Sequence, residues 1–215
     1  MIFSNPQISL NSNSSSTNRV VLDIGCGSSK LQGSIGIDCF PYPGVDLVGD
    51  VFDVLSTFGD HSVDYIHARH FLEHLSDIAR IVDEFSRVLK LGAIAEIIVP
   101  HFSNPYFYSD PTHKSAFGLY TFCYFADSGQ LFRRTVPTYC QKQVFALTHV
   151  ELRFFALKGR LFSSIFKKLL TKIVNLSPGF MELYEESFCY IVPCYEVAYK
   201  ITRNPLAPFE NTFDE

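Results

Sequence analysis

Val20-Val21-Leu22-Asp23-Ile24-Gly25-Cys26-Gly27-Ser28-Ser29-Lys30 is the stretch that decides the fold. An apolar run ends on an acid, and alternating glycines follow where a strand must turn. Glycine lets the main chain bend and approach closely, so backbone N–H groups there can face an anionic or nucleotide-like ligand. A second apolar run, Ile35-Gly36-Ile37, ends at Asp38. An acid at the tip of a second strand can accept hydrogen bonds from a ribose diol. Strand, glycine turn, strand and acid together indicate a nucleoside-cofactor domain. Only Ser28 to Gly33 separate the turn from the second strand, so a single helical turn at most is expected. A dinucleotide domain would place a full crossover helix there.

Outward from this stretch, residues 19–100 alternate strand and helix in the βαβ manner. Strands are expected at Val20–Ile24, Ile35–Asp38, Asp46–Val48, Val63–His67 and Ala95–Val99. A helix is expected at Asp77–Lys90, where Ile78, Ile81, Val82, Phe85, Val88 and Leu89 repeat at helical spacing and Leu91-Gly92 supplies a stop. After Pro100 the regularity lapses into a long ordered loop to His113, followed by an aromatic helix around Phe117–Phe125. Val150–Leu157 reads as a late strand, Leu161–Val174 as an amphipathic helix, Met181–Tyr190 as a short helix and Glu196–Ile201 as the final strand. Residues 1–18 are expected to be a flexible polar leader and 204–215 a tail.

Composition sets the class. With 47% hydrophobic and 19% charged residues the chain is a folded domain with a proper core, not a disordered segment. The net charge of −4 disfavours a nucleic-acid partner. The six cysteines make no C-x-x-C pair and no zinc spacing, and read as reduced thiols of a cytoplasmic protein. No signal peptide is expected, and no run reaches the roughly 18 apolar residues that span a bilayer. Lys158, Arg160, Lys167, Lys168 and Lys172 lie on or beside the helix 161–174. A basic amphipathic helix can make peripheral membrane contact, although a helix that simply covers the sheet is the favoured reading.

The motifs resemble those of class I S-adenosylmethionine-dependent methyltransferases, in particular small bacterial methyltransferase-domain proteins of the type 11 kind. Val21-Leu22-Asp23-Ile24-Gly25-Cys26-Gly27 is similar to the family's first motif, and Ile37-Asp38 to its ribose-binding acid. Gly49-Asp50 is similar to the acid after the third strand, and Leu72-Glu73-His74-Leu75 to the segment after the fourth. Arg87-Val88-Leu89-Lys90-Leu91-Gly92 is similar to the turn before strand five. The chain departs from the pattern at Ser29, where a third glycine is usual, and at Leu91 and Ala93.

The resemblance implies an α/β, Rossmann-like doubly wound fold. Its sheet would be mainly parallel, with an antiparallel late strand and helical insertions after strand five. It implies a single methyltransferase domain over 19–203, with a cofactor half (19–100) and a substrate-side half (101–203). The implied cofactor is S-adenosyl-L-methionine, contacted by Asp23, Gly25, Cys26, Gly27, Asp38, Cys39, Asp50, Val51, His67 and Ala68. Lys30 could pair with the cofactor carboxylate or remain a surface lysine.

Methyl transfer requires a positioned nucleophile and, for a hydroxyl, a group that takes its proton. His101 directly follows strand five and is the leading candidate for that base, with Asp110 and His113 as the second carboxylate and imidazole. Tyr106, Tyr108, Phe117 and Tyr120 are candidate substrate contacts. The expected acceptor is a small molecule or saccharide, methylated at a hydroxyl oxygen. N-methylation, a cofactor-binding protein without turnover, and a nucleotide-sugar or dinucleotide enzyme are the alternatives. His101, Asp110 and His113 could also be ligands of a metal. The long first gap and the lack of a further ligand argue against it, so no metal is expected. Glu73-His74 reads first as a helix-start pair satisfied by its neighbours.

Overall fold

The computed structural model describes residues 19–129, 131–137, 144–156 and 161–204, without the side chains of 161–163. The leader, Cys140, Lys158, Arg160 and all but the first residue of the tail lie outside the described residues. Strands β1 (Val21–Ile24), β2 (Ile35–Asp38), β3 (Leu47–Val48) and β4 (Val63–Arg69) are followed by β5 (Leu89–Pro100), β6 (Phe145–Arg153) and β7 (Glu196–Arg203). They form one seven-stranded sheet in the order β3-β2-β1-β4-β5-β7-β6. The pairs among β1 to β5 are parallel, and β7 is antiparallel to both β5 and β6. This is the Rossmann-like, mainly parallel arrangement with an antiparallel late strand that the motifs imply.

Alternation along the strands sorts the chemistry. Leu22, Ile24, Ile66, Ala68, Ala95 and Ile97 are buried in one core with Leu55 of helix α1 (Val51–Ser56) and Ile81 and Phe85 of helix α2 (Ile78–Val88). The other phase is polar. Asp23 contacts His67, Tyr65 donates to Glu96, and Lys200 pairs with Glu96. No helix forms between β1 and β2, only turns.

Local chemistry sets the helix ends. Asp50 caps α1 by accepting from Phe52 N, and Asp77 caps α2 by accepting from Arg80 N. Helix α2 is shorter than its sequence periodicity predicts, because Leu89 already has extended backbone and opens β5. Leu91-Gly92 therefore lies inside a strand and does not act as a stop. The late strand starts at Phe145, five residues before the expected position. A bulge between Leu147 and His149 shifts its alternation, so Phe145 and Leu147 are buried before it, and Val150 and Leu152 after it. In place of an aromatic helix around 117–125 there is one 3-10 turn, Thr121–Tyr124.

Helix α3 (Leu161–Val174) directs Leu170 and Val174 toward the core and leaves Ile165, Phe166 and Leu169 exposed beside its lysines. Helix α4 (Pro178–Ser187) starts with Ser177 as its cap and Pro178 in its first turn, and buries Met181 and Tyr184. No described helix is long and apolar enough to cross a membrane.

Candidate cofactor and active site

At the carboxyl ends of β1, β2 and β3 lies a cavity of about 540 Å³, within the range usual for small-molecule sites. Its lining includes Gly25, Asp38, Asp50 and Val51 from the strand ends and the turns after them, together with His74, Thr112 and Lys114. Gly25 has a backbone φ of +67°, and a side chain there would meet the Phe71 ring at under 3 Å. Only glycine meets both constraints. Gly25 N and Cys26 N donate to Ile37 O, which ties the glycine turn to the end of β2.

Asp38 finishes that tie. Its two carboxylate oxygens accept from Gly27 N at 2.9 Å and from Phe40 N at 2.9 Å. Each oxygen keeps a second lone pair for a ligand hydroxyl. Cys39, also sequence-predicted, lies on the cavity wall beside Phe40 and Tyr42, two aromatic residues that motif reading missed. Burial raises the Cys39 thiol pKa, with a further push from the Asp38 charge.

Gly25 and His70 also line a second hollow, with Asp23, Cys26, Lys30, His67, Arg69 and Glu196 among others. Asp23 is almost fully buried and already engaged, accepting from Leu31 N at 2.7 Å and contacting His67 Nδ1 at 2.7 Å. It braces the glycine turn and orients the imidazole. Lys30 pairs with Asp46 at 2.8 Å. Ala68, on the other strand face, is fully buried in the core.

His70 joins the two hollows. It takes up the left-handed φ of +53°, rare outside glycine, and its ring bridges Glu196 at 2.7 Å and Glu73 at 3.2 Å. Burial alone would lower its pKa, but the hydrogen bonds to Glu196 and Glu73 outweigh it and push the imidazole up to about 9. His70 is therefore a cation at neutral pH. Arg69 adds a second donor to Glu196 at 2.9 Å.

The three sequence-predicted catalytic residues do not converge. His101 has no exposed surface. Ser103 N donates to its Nδ1, so its proton sits on Nε2 and is donated to Glu185 at 3.0 Å. Glu185 also accepts from Leu119 N at 2.7 Å, so this histidine ties the exit of β5 to α4. Asp110 and His113 are in the loop at the rim of the first cavity. Asp110 Oδ1 accepts from the Thr112 hydroxyl and from Thr112 N, and these bonds hold its carboxyl below the usual range. Its other oxygen is 3.7 Å from His113 Nε2.

The predicted substrate aromatics are also dispersed. Tyr106 and Tyr108 are exposed, and Phe117 is buried in the core. Tyr120 lines a separate hollow of about 890 Å³ with Phe102, Arg133, Arg134 and Glu182, to which its hydroxyl donates at 3.1 Å.

A family model described as a methyltransferase domain matches residues 6–143 of the chain. No curated protein sequence matches it. Among solved structures the chain is similar to an S-adenosylmethionine-dependent methyltransferase from Archaeoglobus fulgidus, with 20% identity, 87% of each chain covered and a TM-score of 0.52. It is also similar to a candidate methyltransferase from Bacillus halodurans C-125, with 15% identity, 88% of this chain and 94% of that one covered, and a TM-score of 0.53. The chain thus belongs to the methyltransferase-domain family and is a class I S-adenosylmethionine-dependent methyltransferase.

Proposed function

We propose that the enzyme methylates a hydroxyl oxygen of a small-molecule or saccharide acceptor held at the rim of the 540 Å³ cavity. One observation carries this reading. The glycine turn, Asp38 and Asp50 line the same cavity as the hydrogen-bonding side chains His74, Thr112 and Lys114. A lining of this kind suits an acceptor rich in hydroxyl groups.

The chain's residues divide the work as follows. Asp38 takes the ribose hydroxyls on the lone pairs left free by Gly27 N and Phe40 N. Asp50, Val51, Phe40 and Tyr42 surround the adenine end, and Gly25 lets the main chain pass beneath the ligand. His67, oriented by Asp23, faces the methionine end. When bound, S-adenosylmethionine supplies an electrophilic methyl group on a sulfonium.

The attacking hydroxyl becomes strongly acidic as its new bond to carbon forms, so a carboxylate suffices to take its proton. Asp110, hydrogen-bonded to the cavity-lining Thr112, is that acceptor. His101 holds α4 against the sheet, because its ring is sealed from the cavity.

Transfer of labelled methyl groups to matched panels of hydroxyl and amine acceptors tests the reading. Labelling of hydroxyl acceptors that drops by at least tenfold in Asp110→Asn supports it. Labelling confined to amines overturns the oxygen-acceptor reading. Binding of NAD without binding of S-adenosylhomocysteine overturns the cofactor assignment of the cavity.

A further inference from the structure

Glu73, His74 and His113 are brought together by the 3-10 turn Leu72–His74 and the loop that ends at His113. Each offers one potential ligand atom, and the three atoms lie within 4.8 Å of one another. Donor atoms bound to one ion at about 2.1 Å stand roughly 3 to 4 Å apart, so small side-chain rotations close the set.

Glu73 has no exposed surface. One of its carboxylate oxygens bonds His70, but Oε2 has no hydrogen-bond partner. A buried carboxylate oxygen with no partner is rare, because its lost hydration is uncompensated. A cation would supply what is missing.

Hydrogen bonding has already set the two imidazoles. His113 Nδ1 donates to Phe107 O at 2.8 Å, which leaves the lone pair on Nε2. The Thr112 hydroxyl gives its one proton to Asp110 at 2.6 Å, so it accepts from His74 Nδ1 at 2.9 Å. His74 is thereby also left with its lone pair on Nε2. Metal-binding histidines are commonly oriented in this way, through a hydrogen bond from the nitrogen that does not bind the metal.

We propose that Glu73, His74 and His113 bind a first-row divalent cation at the rim of the cofactor cavity, with open positions that hold the acceptor's oxygen. Two imidazoles and one carboxylate suit Mn²⁺, Fe²⁺, Co²⁺ or Zn²⁺ rather than Ca²⁺ or Mg²⁺. His74 and Thr112 line the cavity, which places the ion beside the expected acceptor. The site itself stands on the three side chains. Its use in holding an acceptor oxygen rests on the hydroxyl-acceptor reading above.

Titration of the full-length, chelator-treated protein with Mn²⁺, followed by electron paramagnetic resonance, tests the site. Mn²⁺ is the probe because the free thiols would draw Zn²⁺. One Mn²⁺ per chain is expected, weakened at least tenfold by His113→Asn. The asparagine amide can keep the bond to Phe107 O but offers nothing in place of Nε2. Glu73→Gln, which preserves shape and removes charge, should weaken binding equally and serves as the second variant should the first not fold. Failure to bind millimolar Mn²⁺ by protein that still binds S-adenosylhomocysteine overturns the site. So does binding that both folded variants leave within threefold of the unaltered chain. Mn²⁺ bound through these residues in an enzyme that labels only amines upholds the site and overturns the hydroxyl-acceptor reading.

Discussion

Asp38→Ala is the sharpest perturbation, because one carboxylate serves both the glycine turn and the proposed ribose. The substitution removes the acceptor for Gly27 N and the acceptor for Phe40 N, each at 2.9 Å. Hydrogen bonds to a charged group contribute about 1.5–3 kcal/mol each, and a half-buried carboxylate sits at the low end. A loss of about 3 kcal/mol follows, which lowers the thermal midpoint by roughly 6–12 °C in a domain of this size. The missing ribose contact removes a further 1.5 kcal/mol or more of binding, roughly a ten- to hundredfold rise in Kd for S-adenosylhomocysteine. Asp38→Asn keeps one carbonyl oxygen and should fall between the two. Calorimetric titration well below each variant's midpoint separates affinity from stability. A folded Asp38→Ala protein that binds within threefold of the unaltered chain would refute the assignment of Asp38 to the ribose.

Gly25→Ala forces a left-handed φ on a residue with a Cβ, at about 1–2 kcal/mol, and drives that atom to 2.7 Å from Phe71 Cβ. Gly27→Ala carries only the first penalty, because nothing lies within 4 Å of the point its methyl group would occupy. Urea denaturation should therefore show Gly25→Ala as the more destabilised; equal midpoints would rule out the contact with Phe71. Asp46 is held below the usual carboxyl range by its hydrogen bond from Lys30 and by Gly36 N. A lowered folded-state pKa gives stability that is present above the unfolded value, near 4, and lost as the pH falls through the folded one. The urea midpoint should fall between pH 5 and 3, with a shallower fall in Asp46→Asn; an unchanged slope would count against the pair.

The parts of the fold legible in sequence are those governed by neighbours along the chain. Strand β2 is read to both of its ends because an apolar pair is bounded by Ser34 and Cys39. Helix α2 shows through the spacing of Ile81, Val82, Phe85 and Val88. Where one residue shifts the period, the pattern misleads. The bulge at Leu147/His149 splits β6 into two runs of opposite phase, and only the second is visible as a strand. Helix α1 has six residues, too few to establish a period, and its one sequence signal is the cap at Asp50.

The site shows the same division more severely. Motif spacing is enough to bring Gly25, Asp38, Asp50 and Val51 to one cavity, because they sit at or just past the ends of β1, β2 and β3. The roles of the histidines depend on partners far along the chain. Position alone puts His101 beside the end of β5, but its ring is committed to Glu185, 84 residues later. His113 looks like part of a local Asp-Pro-Thr-His turn until the fold carries it to Glu73 and His74, and that approach sets a buried carboxylate beside two imidazoles. A histidine's chemistry is set by which nitrogen keeps the lone pair, and that depends on its hydrogen-bond partners. His101 spends its Nδ1 lone pair on Ser103 N, whereas Phe107 O and the Thr112 hydroxyl accept from His113 and His74 and leave Nε2 free on both. Of the three histidines, His74 and His113 are therefore the ones that keep an Nε2 lone pair for the proposed cation.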